Sequence, residues 1–157
     1  IDLTKSVDTI GFCLSKGLSC PIGSVLCGPD DFIKEANRWR KMLGGGMRQA
    51  GVFAAAGIVG LNSMIDRMAE DHQNAKKLAF GLSEFSEIVI DPNIIKTNIV
   101  RFDLKEMDSD LFVSKLRENG VLVNGSVKTK SLRMVTHYGI ISEDIDYTIE
   151  KISKIVN

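Results

Sequence analysis

The run Thr9-Ile10-Gly11-Phe12-Cys13-Leu14-Ser15-Lys16-Gly17-Leu18 decides how the chain is to be read. Its first six residues are apolar or small, the length of a short buried strand, and they stop at a polar Ser-Lys-Gly that reads as a loop. A lysine just past the carboxyl end of a strand stands where an α/β sheet delivers its catalytic groups. An amine desolvated there loses its preference for the charged form and becomes a nucleophile toward an aldehyde. Taken alone, Lys16 reads as an ordinary solvated surface lysine, so its meaning depends on its surroundings.

Beyond this run, Gly23-Ser-Val-Leu-Cys-Gly28 fits a second short strand, bounded by Pro21-Ile22-Gly23 and Gly28-Pro29. Asp30 or Asp31 is a candidate N-cap for a helix whose apolar positions are Phe32, Ile33, Ala36, Trp39 and Leu43, and Gly44-Gly45-Gly46 should stop it. The spacing of Val52, Phe53, Ala56, Val59, Gly60, Met64 and Met68 predicts a long helix from near Arg48, apolar all round at first and charged on one side from Asp66 to Lys77. A helix that leaves one core and enters another has this pattern. The boundary between two lobes is therefore expected inside it, around residues 62–75, dividing the chain into 1–70 and 71–157.

Past Phe85 the units shorten. Ile88–Ile90 and Thr97–Phe102 read as strands about an Asp91-Pro92-Asn93 turn, and Asp108 or Ser109 caps a helix through Leu111, Phe112 and Leu116 that Gly120 closes. Strands are expected at Val121–Val123 and Ser131–Val135, and a last helix from Ser142 along Ile145, Ile149, Ile152, Ile155 and Val156. Two strands, helix, two strands, helix make a small α+β lobe.

Composition bounds the function. Of 157 residues 44% are hydrophobic and 25% charged, and 20 basic residues balance 20 acidic ones, so nothing points to nucleic acid or an anionic membrane. No apolar run approaches the roughly 18–20 residues that span a bilayer, and the opening Ile1-Asp2-Leu3-Thr4-Lys5-Ser6 lacks a signal-peptide layout, which makes a cytoplasmic setting the default. Cys13, Cys20 and Cys27, spaced by seven, match neither a disulfide framework nor close zinc ligands and read as unpaired thiols; no metal site is expected.

Three further places could carry chemistry. Arg40, Lys41 and Arg48 flank the triple glycine, where backbone can approach an oxyanion; the alternative is a plain helix–turn–helix, and the absence of Gly-Lys-Ser/Thr excludes a P-loop. Arg133, within Ser131-Leu-Arg-Met-Val-Thr-His137, is either a solvent-face residue or the partner of a planar carboxylate, which its fork matches with two parallel hydrogen bonds. His137 reads as a general acid/base or as a residue of the turn that ends the strand, and His72 takes no role.

Together these segments resemble a known family. Phe12-Cys-Leu-Ser-Lys16-Gly-Leu18, Pro21-Ile-Gly-Ser-Val-Leu26, Arg40-Lys-Met-Leu-Gly-Gly-Gly-Met-Arg48-Gln49 and Leu132-Arg-Met-Val-Thr-His137 are similar, in order and spacing, to the low-specificity L-threonine aldolases. These are fold-type-I pyridoxal 5'-phosphate (PLP) enzymes of the β-eliminating lyase group. The resemblance implies an α/β fold: the end of the large-domain sheet, a long connecting helix and a small C-terminal α+β domain. It implies that Lys16 is the Schiff-base lysine and that Arg133 holds the substrate α-carboxylate. Lys41 and Arg48 would lie around the cofactor phosphate and reach toward a neighbouring subunit's site.

The family's lysine lies past the middle of a chain about twice this long. The resemblance therefore also implies that the N-terminal half of the enzyme is the partner of these residues, bringing the ring-stacking group, the aspartate for the pyridine nitrogen and another carboxylate-binding arginine. It implies a β-hydroxy-α-amino acid substrate cleaved between Cα and Cβ to glycine and an aldehyde, and a dimer of dimers. Two readings compete: a related PLP lyase or aminotransferase, and a non-catalytic assembly subunit that binds no cofactor.

Overall fold

The computed structural model describes residues 4–125 and 131–156, so the first three residues of the opening segment lie outside the described residues. The chain divides into two compact units, Ile1–Asp66 and Arg67–Asn157.

In the first unit, β1 (Ile10–Cys13) and β2 (Ser24–Cys27) form an antiparallel hairpin, with Ile10 opposite Cys27 and Cys13 opposite Ser24. Both strands stand where the apolar runs place them, but none of their residues is buried, contrary to the buried strand expected at Thr9–Leu14. Among the described residues, buried apolar side chains begin only at Leu14, Leu18 and Cys20, in the loop between the strands. Helix α1 (Asp30–Met42) ends just before the triple glycine, as predicted. Its N-cap is Pro29 rather than an aspartate, and Asp30 and Asp31 sit in the first turn, where they favour the positive end of the helix dipole.

The long helix is in fact two, α2 (Gly51–Ser63) and α3 (Met68–Ser83), interrupted at residues 64–67. The apolar spacing continues across the interruption, which is why the periodicity conceals it. Arg48, expected in the first turn, precedes α2 by three residues. No single helix among the described residues is long and apolar enough to cross a membrane.

The second unit is a two-layer α+β structure. Its antiparallel sheet has the order β3 (Ile88–Val89), β4 (Ile99–Leu104), β6 (Ser131–Val135), β5 (Asn124–Gly125). Residues 121–123, predicted as a strand, are not one; the pairing begins at Asn124. Strand β4 alternates strictly, with Val100, Phe102 and Leu104 buried and Ile99, Arg101 and Asp103 exposed. Leu132 and Met134 of β6 join the buried face. Against that face pack α3, α4 (Ser109–Glu118) and α5 (Ser142–Val156), and Phe102 meets Phe112 edge-on. Asp108 caps α4 by accepting the Leu111 N–H at 2.9 Å. A Cβ on Gly81 would collide with Ile149 Cδ1, so glycine there sets how closely α5 approaches α3.

Candidate functional site

In the first unit the segment after β1 is shaped by backbone bonds at its base and by glycines beneath it. Leu14 N–H donates to Gly23 O at 2.9 Å, and Cys20 N–H donates to Leu14 O at 3.2 Å, which closes the loop. Within it, Ser19 N–H donates to Lys16 O at 2.8 Å, so Lys16 heads a four-residue turn, and Ser19, which closes it, has a positive φ of 57°. The loop rests on α2 through the two residues of that helix that are buried, Gly57 and Gly60. A Cβ on Gly57 would come to 3.0 Å from Leu14 Cδ1, and one on Gly60 to 2.6 Å from Cys20 Sγ. The Cys20 thiol donates to Ala56 O at 3.4 Å. Lys16 is thereby held on a seated loop with its own side chain exposed.

The triple glycine has a local cause. Gly45 N–H donates to Arg40 O at 2.8 Å, and Cβ atoms on Gly45 and Gly46 would crowd Arg40 Cγ and Lys41 Cγ at 3.1 and 3.2 Å. With Gly44 at φ +82°, the chain folds back over the last turn of α1. A cleft of about 360 Å³ in this unit is lined by Leu14, Gly23, Ser24, Phe53 and Gly57. The cation on its wall is Arg40; Lys16, Lys41 and Arg48 do not line it. Lys16, Lys41 and Arg48 are each exposed, in one unit, and no side-chain hydrogen bond or ion pair joins any two of them.

In the second unit Arg133 projects from the exposed face of β6, between the buried Leu132 and Met134. The chain just beyond β6 is firmly held. Thr136, 2% exposed, donates through Oγ1 to Asp71 O of α3 at 2.6 Å. Its N–H donates to Asn98 O at 3.0 Å, and Asn98 Nδ2 donates to Thr136 O at 2.8 Å, so the ends of β4 and β6 are clasped. Asp71, 1% exposed, pairs with Arg67 one turn earlier, and that guanidinium lies 5.2 Å from the Tyr138 ring centroid. Asn74 donates to Ile140 O at 2.9 Å. Sequence reading missed Arg67, Asp71, Asn74, Asn98 and Thr136, because polar residues scattered over about 70 positions meet only in the fold. The one available signal was an i, i+4 Arg–Asp pair in a helix.

His137 is exposed, and its Nδ1 lies 2.8 Å from Tyr138 O, the arrangement of a turn residue. Cys13, Cys20 and Cys27 are free thiols. No group of three His, Cys, Asp or Glu residues suited to a metal occurs among the described residues.

The chemistry of these donors fits PLP: a primary amine on a fixed turn for the aldehyde, and the cations Lys41 and Arg48 in the same unit for the phosphate.

Comparisons with known proteins identify what the chain is similar to. The low-specificity L-threonine aldolase 1 of Arabidopsis thaliana is 40% identical over 94% of this chain and 42% of its own length. The low specificity L-threonine aldolase of Escherichia coli K12 is 40% identical over 92% of this chain and 41% of its own. The chain thus spans about two fifths of the length of these relatives. The serine palmitoyltransferase of Sphingomonas wittichii shares the fold, with a TM-score of 0.76 at 17% identity over 94% of this chain and 39% of its own. The model of the beta-eliminating lyases matches residues 2–105, more than half of the chain, and the chain belongs to the beta-eliminating lyase family.

Proposed function

We propose that this chain carries the cofactor lysine and the carboxylate-binding arginine of a PLP-dependent aldolase. The enzyme cleaves the Cα–Cβ bond of L-threonine and L-allo-threonine to glycine and acetaldehyde, and its N-terminal half completes the pocket. The observation that carries this reading is Lys16 at the head of a turn seated on α2, in a chain 40% identical to low-specificity L-threonine aldolases.

Each residue has a physical task. Lys16 Nζ is the amine that would hold PLP through its aldehyde, and the seated turn fixes where that amine is presented. Lys41 and Arg48 neutralise the phosphate. Arg133 takes the substrate carboxylate on its fork, which fixes the rotation of the amino acid so that the Cα–Cβ bond is the one presented for cleavage. PLP, when bound, supplies the electron sink for the carbanion left at Cα. The base for the β-hydroxyl proton is assigned to no residue of this chain. Three free thiols suit a reducing, cytoplasmic setting. The exposed apolar side chains of α1 and α2, including Trp39, Met42, Val52 and Ile58, suit the remaining half of the enzyme and a homo-oligomer, in the family a dimer of dimers.

Product analysis of the complete enzyme with L-threonine tests the reading. Equimolar glycine and acetaldehyde are expected. Ammonia with a 2-oxo acid would assign the chain to a related lyase, and no product with PLP bound would remove the aldolase assignment.

A further inference from the structure

On the exposed face of the second unit's sheet, the β4–β6 register sets Arg101 directly opposite Arg133, and the β5–β6 register sets Asn124 opposite Arg133 on its other side. All three residues are exposed. Like charges directly opposite one another across a sheet repel, with Cβ atoms about 5 Å apart. Among the described residues neither arginine has an acidic partner within ion-pair distance. Asp103, next but one to Arg101 on the same face and opposite Ser131, is the nearest acid in the register and pairs with neither.

We propose that Arg101 and Arg133 form one carboxylate clamp, and that Arg101 is a further substrate-binding residue. The proposal rests on the assignment of Arg133 to the substrate carboxylate. A carboxylate has two oxygens and roughly four lone-pair sites. Arg133 occupies one pair with its parallel N–H donors, Arg101 reaches the outer lone pair of the nearer oxygen from the next strand, and the Asn124 amide can donate from the other side. Charge selects the class of ligand. Among the described residues of this face, the two guanidinium groups and Asp103 sum to +1, which a monocarboxylate balances and a phosphate dianion exceeds. The bound anion also removes the repulsion between the two arginines, so its affinity contains a contribution that a single arginine would lack.

The test monitors the arginine Nε–Hε signals of the isotope-labelled 157-residue chain, assigned with R101A and R133A, during titration with sodium acetate, L-threonine or sodium phosphate at constant ionic strength. Both signals are expected to move with one dissociation constant for acetate and threonine, and R101A should weaken acetate about tenfold, the effect of one charge-assisted hydrogen bond. R101K, which keeps the charge without the fork, should fall between. A response of Arg133 alone, a response of neither, or tighter binding of phosphate than of acetate would each overturn the clamp. In the complete enzyme, R101A should raise the threonine KM by a similar factor. An unchanged KM in an active aldolase would sink the clamp and leave the aldolase reading standing. A clamp seen by resonance in an enzyme that does not cleave threonine would do the reverse.

Discussion

Lys16 and Arg133 divide the proposed chemistry between the two units, and each is exposed on an element that other residues hold still. Replacing Arg133 with alanine in the complete enzyme should leave PLP binding intact and weaken threonine by about a hundredfold, the loss of a bidentate charge-assisted pair. Parallel cofactor titration and threonine kinetics measure the two separately, and unchanged threonine affinity would remove the arginine from its role. A strand end, a loop and a following glycine are local features that marked Lys16 as a candidate in the sequence, and only the linked motifs made it the expected cofactor lysine. The carboxylate reading of Arg133 needed the linked motifs, since alternation in β6 by itself shows only that the residue faces away from Leu132 and Met134. The clasp behind it was not legible at all: Thr136, Asn98 and Asp71 lie far apart in the chain, and only the fold brings the Thr136 hydroxyl to Asp71 O.

At the scale of elements, close approaches explain where the functional loops sit. Gly60→Ala would drive a Cβ to 2.6 Å from Cys20 Sγ at a backbone-lined contact, so the loop carrying Lys16 must shift. The expected cost is about 1–3 kcal/mol, read from chemical denaturation, with lower PLP occupancy in the complete enzyme. Thr136→Val removes a buried donor and leaves two carbonyls less well satisfied, for about 1–2 kcal/mol, while Thr136→Ser should restore most of the loss. Glu87 offers a pH-dependent case. Its Oε1 accepts the N–H groups of Met107 at 2.6 Å and Glu106 at 2.8 Å, and these bonds hold its pKa below the ordinary 4.5. A depressed carboxylate contributes stability that is fully present above the unfolded-state value and is lost as pH falls through the folded-state value. Glu87→Gln should therefore flatten the loss of stability below about pH 4.5, measured as Tm against pH. Helix ends were legible at Gly44 and Asp108, where a glycine and a capping aspartate mark them, whereas the aspartates before Phe32 fall inside the first turn of α1. The break at residues 64–67 carries no such mark, because Met64, Ile65 and Met68 continue the apolar pattern through it.

Across the whole molecule the two units differ in what they bury. The second has a continuous core running from Ala75 to Ile152, whereas among the described residues of the first the buried apolar side chains are Leu14, Leu18 and Cys20. A polypeptide of residues 67–157 should accordingly show one cooperative thermal transition on its own, by circular dichroism. A non-cooperative melt would contradict a self-sufficient core. The first unit leaves Trp39, Met42, Leu43, Val52, Ile58 and Val59 exposed, consistent with a chain that spans about two fifths of its relatives' length. Its hairpin and helices were readable from short apolar runs and turns, but the exposure of β1 was not, since an apolar run looks the same whether or not its covering layer is present.

Borohydride reduction of the PLP-loaded complete enzyme, followed by peptide mass mapping of the product, tests whether Lys16 binds the cofactor. The phosphopyridoxyl mass is expected on Lys16 and absent from the Lys16→Ala variant. A stoichiometric adduct on any other lysine, or one that survives in Lys16→Ala, would contradict it.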